Sequence, residues 1–423
     1  MNQTQNKLGK ISIECMMNSS NNNGLDTMKV TSLELTDVGG IPHLKLENIN
    51  PQMNIICGEN GVGKTNILDS VAYLFSNWSR NQIKKRFGSD YGEINSEVYF
   101  ESDFTNGVIG ALHPIKSTLT EFDPVATRNY RSDIDQIFLK QVIYLRTLRD
   151  LQYKRLKGIE SDPDEKDYGL DLIQGLSSDD LKSWFISRFY QFSAGNLEDQ
   201  FRLNFEITKT LFGKLDGKYS FRTVTRKNEI IVCTALGDEI YLEYLSSGFK
   251  SSLFILMGII KEIEFRFQKN LLKSVDFDGI ILIDEIELHL HPEWQGRICT
   301  ILKEIFPKAQ FFITTHSPHV VQTAAKDEVI ALERVDGEVL QRDLPESEYG
   351  YQGWTVEEIL EDVMGMTDLR TSKYKEVKAR FDKALDEQNK VDAIAAYQEL
   401  DKMLHPQYPL RPVFKMQLDS LGE

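Results

Sequence analysis

The sequence has few cysteines. Four stand in 423 residues, Cys15, Cys57, Cys233 and Cys299, far apart and with no C-x-x-C pair, which excludes a disulfide framework or a zinc knuckle. Long apolar runs are missing as well. The best, Ser252 to Ile260, is about half of the roughly 18 residues a membrane span needs. The first residues lack the basic-then-apolar pattern of a secretory signal, so a cytoplasmic protein with no membrane partner is expected. No internal repeat or coiled-coil heptad array is visible. Positive charge is in deficit, with 49 Lys and Arg against 64 Asp and Glu, a net of −15. That balance argues against a chain that coats nucleic acid non-specifically. The seven histidines (43, 113, 289, 291, 316, 319 and 405) form no nuclease-like cluster, and no Asp-x-Asp pair follows His316. An embedded nuclease is not expected.

What is present reads as an ordinary soluble globular chain, 41% hydrophobic and 27% charged. At roughly 100–200 residues per domain its length suggests about two to four folding units. Residues 1–27 form an Asn/Ser-rich leader, expected to be flexible. From Met28 the alternation of Val30, Leu33, Leu35 and Val38 is strand-like. Strands are predicted at Met53–Cys57, Glu97–Phe104, Gln141–Leu145, Gly279–Ile283 and Gln310–Thr314, and helices at Thr65–Phe75, Gly248–Phe267 and Glu293–Ile305. Tyr219–Leu242 reads as strands with turns at Lys227-Asn228 and Gly237-Asp238. The expected divisions are 28–150 and 216–345 as two halves of one lobe, 151–215 as a helical insertion and 346–423 as a helical C-terminal region. Within the last, Thr355 and Glu358 make a capping box, and Tyr374, Val377, Phe381, Ala384 and Leu385 an apolar stripe.

Gly58-Glu59-Asn60-Gly61-Val62-Gly63-Lys64-Thr65 matches G-x-x-x-x-G-K-[ST] between a predicted strand and a predicted helix. The glycines let backbone N–H groups wrap phosphates at a helix N-terminus. Lys64 is expected to reach the β- and γ-phosphates of ATP, Thr65 to ligate Mg²⁺, and Asn66 to follow in the same cradle. Ile280-Ile281-Leu282-Ile283-Asp284-Glu285 is a buried strand ending in two carboxylates. Asp284 is expected at the Mg²⁺ and Glu285 at the attacking water.

Leu245-Ser246-Ser247-Gly248-Phe249-Lys250 resembles the signature motif of the ABC-type ATPases, the group of the SMC, Rad50, RecF and OLD proteins. Glu287-Leu288-His289-Leu290-His291-Pro292 is similar to that group's D-loop, and Ile313-Thr314-Thr315-His316-Ser317-Pro318 to its switch motif. His289 and His291 lack a third ligand nearby, which makes a metal reading weak. The resemblance implies an α/β fold, an ABC-type P-loop lobe with a mixed sheet flanked by helices. It also implies ATP held head to tail, with Ser246, Ser247 and Gly248 of one subunit against the phosphates of another, and His316 as a catalytic switch. The family's Q-loop glutamine is sought at Gln141 or Gln136. Arg146 and Arg149 either contact phosphate or line a surface.

Residues 353–365, beginning Gly353-Trp354, are similar to the helical region of stand-alone ATPases of Septu and retron-linked anti-phage systems. That resemblance implies slow, regulatory ATP hydrolysis, a homodimer or higher even-numbered oligomer, and a separate HNH-type nuclease as partner. The other implied reading is a RecF-like repair ATPase that holds duplex DNA directly. Charge keeps DNA contact open, because eight acids (160, 162, 164, 165, 167, 171, 179 and 180) crowd residues 160–180. They form an acidic loop that either faces a basic partner or shields a basic groove. Cations gather at Arg80–Arg86, Arg146–Lys157 and Arg370–Arg380.

Overall fold

The computed structural model describes residues 27–76, 78–79, 83–101, 110–120, 129–130, 136–149, 156, 158, 161–163, 168–345, 348–366 and 369–421. The leader 1–26, Arg80, residues 102–104, Lys154, Arg155, Lys157 and half of the acidic stretch lie outside these. The chain divides into two compact units, one running through Gly365 and the other spanning Met366–Glu423. No helix among the described residues is long and apolar enough to cross a membrane.

The first unit is built on a six-stranded sheet. Its order is Glu338–Gln341, Val329–Val335, Met53–Gly58, Gln310–Thr314, Ile280–Ile283, Val142–Leu145. All neighbours are parallel except the first pair, which is antiparallel. Parallel strands are covered on both faces, which is why they read as unbroken apolar runs. Successive side chains leave on opposite faces. Ile281 and Ile283 join Ile55, Ile143, Phe311 and Ile313 in one core, while Ile280 and Leu282 join Ile56, Val142, Tyr144 and Phe312 in another. The second core is closed by the helix Lys64–Phe75 and by an antiparallel sheet of Thr27–Val38, Ile41–Leu46, Gly92–Glu101 and Ala111–Leu119. The expected mixed sheet flanked by helices is the fold observed.

The 151–215 stretch supplies helices Tyr168–Gln174, Leu181–Ala194 and Asp199–Leu215. The last two are built into the first core, where Phe185, Phe205 and Phe212 pack with Phe249 of the helix Ser247–Arg266. That helix is buried almost throughout, including Lys261, Glu262, Glu264 and Arg266. Burying charge demands partners. Arg188 donates to Glu264 at 2.7 Å and to Asp162 at 2.6 Å, Lys261 lies 2.5 Å from Asp180, and Arg266 lies 3.7 Å from Asp171. Three acids of the acidic stretch, Asp162, Asp171 and Asp180, are therefore paired with cations of the fold, while Glu160, Asp164, Glu165 and Asp167 lie outside the described residues.

In the C-terminal unit, helices Ser372–Asp386, Lys390–Met403 and Arg411–Asp419 enclose a small core of Val377, Phe381, Ala396, Leu400 and Phe414. The Thr355 capping box forms in the first unit: Thr355 Oγ1 accepts the N–H of Glu358 at 3.2 Å, and Glu358 Oε2 accepts that of Thr355 at 2.7 Å.

Candidate nucleotide-binding site

The strand Met53–Gly58 is buried end to end and delivers the chain into the phosphate loop. Gly58 has φ 136 and would place a Cβ 2.2 Å from the Leu332 carbonyl oxygen, so only glycine fits. Gly63, at φ 113, is the N-cap of Lys64–Phe75. Lys64 turns back over the loop, its Nζ donating to the carbonyls of Gly58 and Glu59, both at 2.9 Å. Burial pushes its pKa down. Glu59, Asn60 and Gly61 are exposed at the tip and Val62 is packed beneath. The Asn66 side chain lies against Gly39, in the turn between Thr27–Val38 and Ile41–Leu46.

Parallel register brings the carboxyl ends of four strands together, the edge where open α/β sheets bind ligands. Thr65 Oγ1 donates to Asp284 at 3.1 Å, and Thr314 Oγ1 donates to the same carboxylate oxygen at 2.6 Å. A hydroxyl and a carboxylate converging there are the hard oxygen donors Mg²⁺ takes, so Thr65 and Asp284 fit that ion. Glu285 comes next with φ 48, a left-handed conformation for a residue with a side chain. Its N–H donates to Thr314 Oγ1 at 2.7 Å, and the N–H of Ile286 to the Thr314 carbonyl at 3.0 Å.

His316 lies just past the strand Gln310–Thr314. Glu287 fixes that turn, accepting Thr315 Oγ1 at 2.7 Å on one carboxylate oxygen and the N–H of His316 at 2.6 Å on the other. Burial, and then the positive charge of Lys64, push the imidazole below its ordinary pKa. Thr314 and Glu287 were not picked out as site residues from the sequence. Their signals were present: a hydroxyl pair ending an apolar strand, and an acid two positions beyond Glu285.

Ser246, Ser247 and Gly248 open the helix Ser247–Arg266, with Ser246 Oγ capping the N–H of Phe249 at 3.2 Å. Ser247 is exposed. A Cβ on Gly248 would sit 2.3 Å from the His289 carbonyl oxygen, so this glycine lets the helix meet the D-loop. His291 Nδ1 accepts the N–H of Glu293 and caps the helix Pro292–Ile305. Among the described residues no group of three or more His, Cys, Asp or Glu is arranged to hold a metal.

Three readings are corrected. Gln136 and Gln141 belong to the helix that precedes Val142–Leu145, and Gln141 stands beside Gly279, at the opposite end of the sheet from the site. Neither serves as a Q-loop glutamine. Arg146 pairs with Asp69 of the phosphate-loop helix at 2.7 Å and lies 4.4 Å over the Tyr144 ring. Arg149 is buried and binds backbone carbonyls. Of the basic clusters, Arg86 faces Asp37, Lys373 and Arg380 share Glu399, and Lys378 pairs with Asp382 at 2.6 Å.

Residues 53–322, well over half of the chain, match the family described as "AAA domain, putative AbiEii toxin, Type IV TA system". The Septu protein PtuA of Bacillus thuringiensis is 41% identical over 400 residues, which cover 93% of this chain and 98% of that protein. The chain belongs to the Septu PtuA family. The matched stretch holds the phosphate loop, the helix Ser247–Arg266, the acidic turn and His316, so the chain is a P-loop ATPase of that family. A retron Vc95 probable ATPase of Vibrio cholerae serotype O1 biovar El Tor is 23% identical over 389 residues, 73% of this chain and 74% of that one. Among solved structures, the SMC head domain from Thermotoga maritima aligns with a TM-score of 0.41 and 13% identity, over 75% of this chain and 100% of that one.

Proposed function

We propose that this PtuA-family chain binds and hydrolyses ATP slowly, closes head to tail as a homodimer or larger even-numbered assembly, and gates a separate HNH-type nuclease in the cytoplasm. The observation that carries the proposal is the convergence of Thr65 of the phosphate loop on Asp284 of the acidic turn, 3.1 Å apart, with Glu285 next in the chain.

Lys64 exchanges the Gly58 and Glu59 carbonyls for the β- and γ-phosphate oxygens when ATP enters, and the loop N–H groups cradle the same phosphates. Thr65 and Asp284 would hold Mg²⁺, which would supply positive charge against those phosphates. Glu285 orients the attacking water and takes its proton. His316, kept neutral by burial and by Lys64, faces the γ-phosphate. Ser247 is exposed at the start of a 20-residue helix, and no hydrogen bond joins it to the phosphate loop of its own chain among the described residues. An exposed hydroxyl at a helix N-terminus suits a phosphate brought by another subunit.

Light scattering tests the assembly. In ATP and Mg²⁺ the Glu285→Gln variant gives twice the mass it has without nucleotide, or a larger even multiple of the protomer. A mass indifferent to ATP, with ATP bound, overturns head-to-tail closure. For the partner, DNA cleavage by the co-purified nuclease responds to ATP with wild-type chain and loses that response with Lys64→Ala. Cleavage indifferent to both removes the gating role.

A further inference from the structure

Arg149 stands outside every motif of the site. It lies just past the strand Val142–Leu145, neighbour of the strand Ile280–Ile283 that leads into the acidic turn, and is only 2% exposed. Three carboxylates are close enough to act on its charge, those of Asp284, Glu287 and Glu285. It pairs with none of them through its hydrogen bonds. Nη2 donates to the carbonyl oxygens of Asp284 and, at 3.0 Å, Glu285. Nη1 reaches the carbonyl of Ile286 at 3.4 Å, and Nε donates to that of Arg146 at 3.0 Å. A planar fork with several fixed donors is the side chain that can address consecutive carbonyls, and an ammonium cannot reproduce it.

The turn it grips needs holding. Glu285 at φ 48 is in a region that costs a side-chain-bearing residue about 1–2 kcal/mol. Such a conformation persists where its surroundings over-determine it. Thr314 binds the N–H of Glu285 from one side, and Arg149 binds its carbonyl from the other.

We propose that Arg149 is the positioning residue for the water-activating carboxylate, its guanidinium clamping the carbonyls of Asp284 and Glu285 so that the acidic turn keeps its left-handed conformation. The inference deepens the hydrolytic reading above and rests on it. Arg149 touches no substrate; it acts through Glu285. The three acids are left uncapped by it, so Asp284 stays available to Mg²⁺ and Glu285 to water.

The test compares wild type, Arg149→Met, Arg149→Lys and Glu285→Gln in steady-state and single-turnover ATP hydrolysis, with ATP affinity measured by binding. Arg149→Met lowers kcat by about a hundredfold, the scale of a misplaced catalytic group, while ATP affinity changes by less than about twofold. Arg149→Lys restores part of the loss. Added to Glu285→Gln, Arg149→Met costs nothing more, because residues acting as one unit are non-additive. Turnover of Arg149→Met within about threefold of wild type overturns the clamp. So does a loss that multiplies fully with that of Glu285→Gln. If Arg149→Met does not fold, Arg149→Lys decides alone: an unchanged kcat overturns the proposal, and a fall of about tenfold or more at unchanged affinity supports it. Absence of turnover in wild type brings down the hydrolytic reading itself, which is a different result from an active wild type with an active Arg149→Met.

Discussion

Thr314 and Asp284 share a hydrogen bond of 2.6 Å from the threonine Oγ1 to the aspartate Oδ1, and the same hydroxyl accepts the N–H of Glu285 at 2.7 Å. One side chain from the neighbouring strand thus orients both residues of the acidic pair. Thr314→Val keeps the shape and removes the hydroxyl. It leaves the part-buried N–H of Glu285 without its acceptor, at about 1–3 kcal/mol. ATP turnover is expected to fall roughly ten- to hundredfold, with Thr314→Ser close to wild type, as read by phosphate release. Equal turnover in the valine variant would contradict this.

Gly248 sets how closely the signature helix approaches the D-loop. An alanine Cβ there meets the His289 carbonyl oxygen at 2.3 Å and the Trp294 ring at 3.2 Å. Backbone has to move, so Gly248→Ala is expected to cost about 1–3 kcal/mol in chemical denaturation. Ser247→Ala, one residue away and exposed, is expected to stay within about 0.5 kcal/mol of wild type. The pair separates packing from phosphate contact.

His316 is neutral near pH 7, because burial and the Lys64 charge hold its pKa below the ordinary 6.5. The unfolded chain takes up this proton at higher pH than the folded one. The stability contribution is therefore complete above pH 6.5 and is lost as pH falls through the folded value. An NMR titration of the imidazole is expected to show a midpoint below 6.5 that rises in Lys64→Met. A midpoint at or above 6.5 in wild type contradicts the arrangement.

Much of this site was legible from one chain, because phosphate chemistry restricts the residues it uses. Gly58–Thr65 and Ile280–Glu285 announce themselves, one as glycines and lysine between strand and helix, the other as an apolar strand ending in two acids. The illegible part depended on partners far along the chain. Arg149 looks like a surface cation until the acidic turn is folded against it. Asp162, Asp171 and Asp180 read as part of one acidic loop, yet they pair with Arg188, Arg266 and Lys261, cations that the core buries. The stretch Lys261-Glu262-Ile263-Glu264-Phe265-Arg266 carries a charge pattern typical of a surface, and only ion pairs across the core allow it inside. Gln141 failed as a Q-loop residue because a parallel strand presents its carboxyl end to the site, and Gln141 precedes the amino end of Val142–Leu145.

The most direct measurement of the central claim is single-turnover ATP hydrolysis by Glu285→Gln, with ATP binding followed in the same samples. The account predicts ATP affinity close to that of wild type and a hydrolysis rate reduced at least about a hundredfold, the scale expected when a general base is lost. Hydrolysis at the wild-type rate would contradict it, because the acidic turn that Thr314 and Arg149 hold in place would then have no part in activating water.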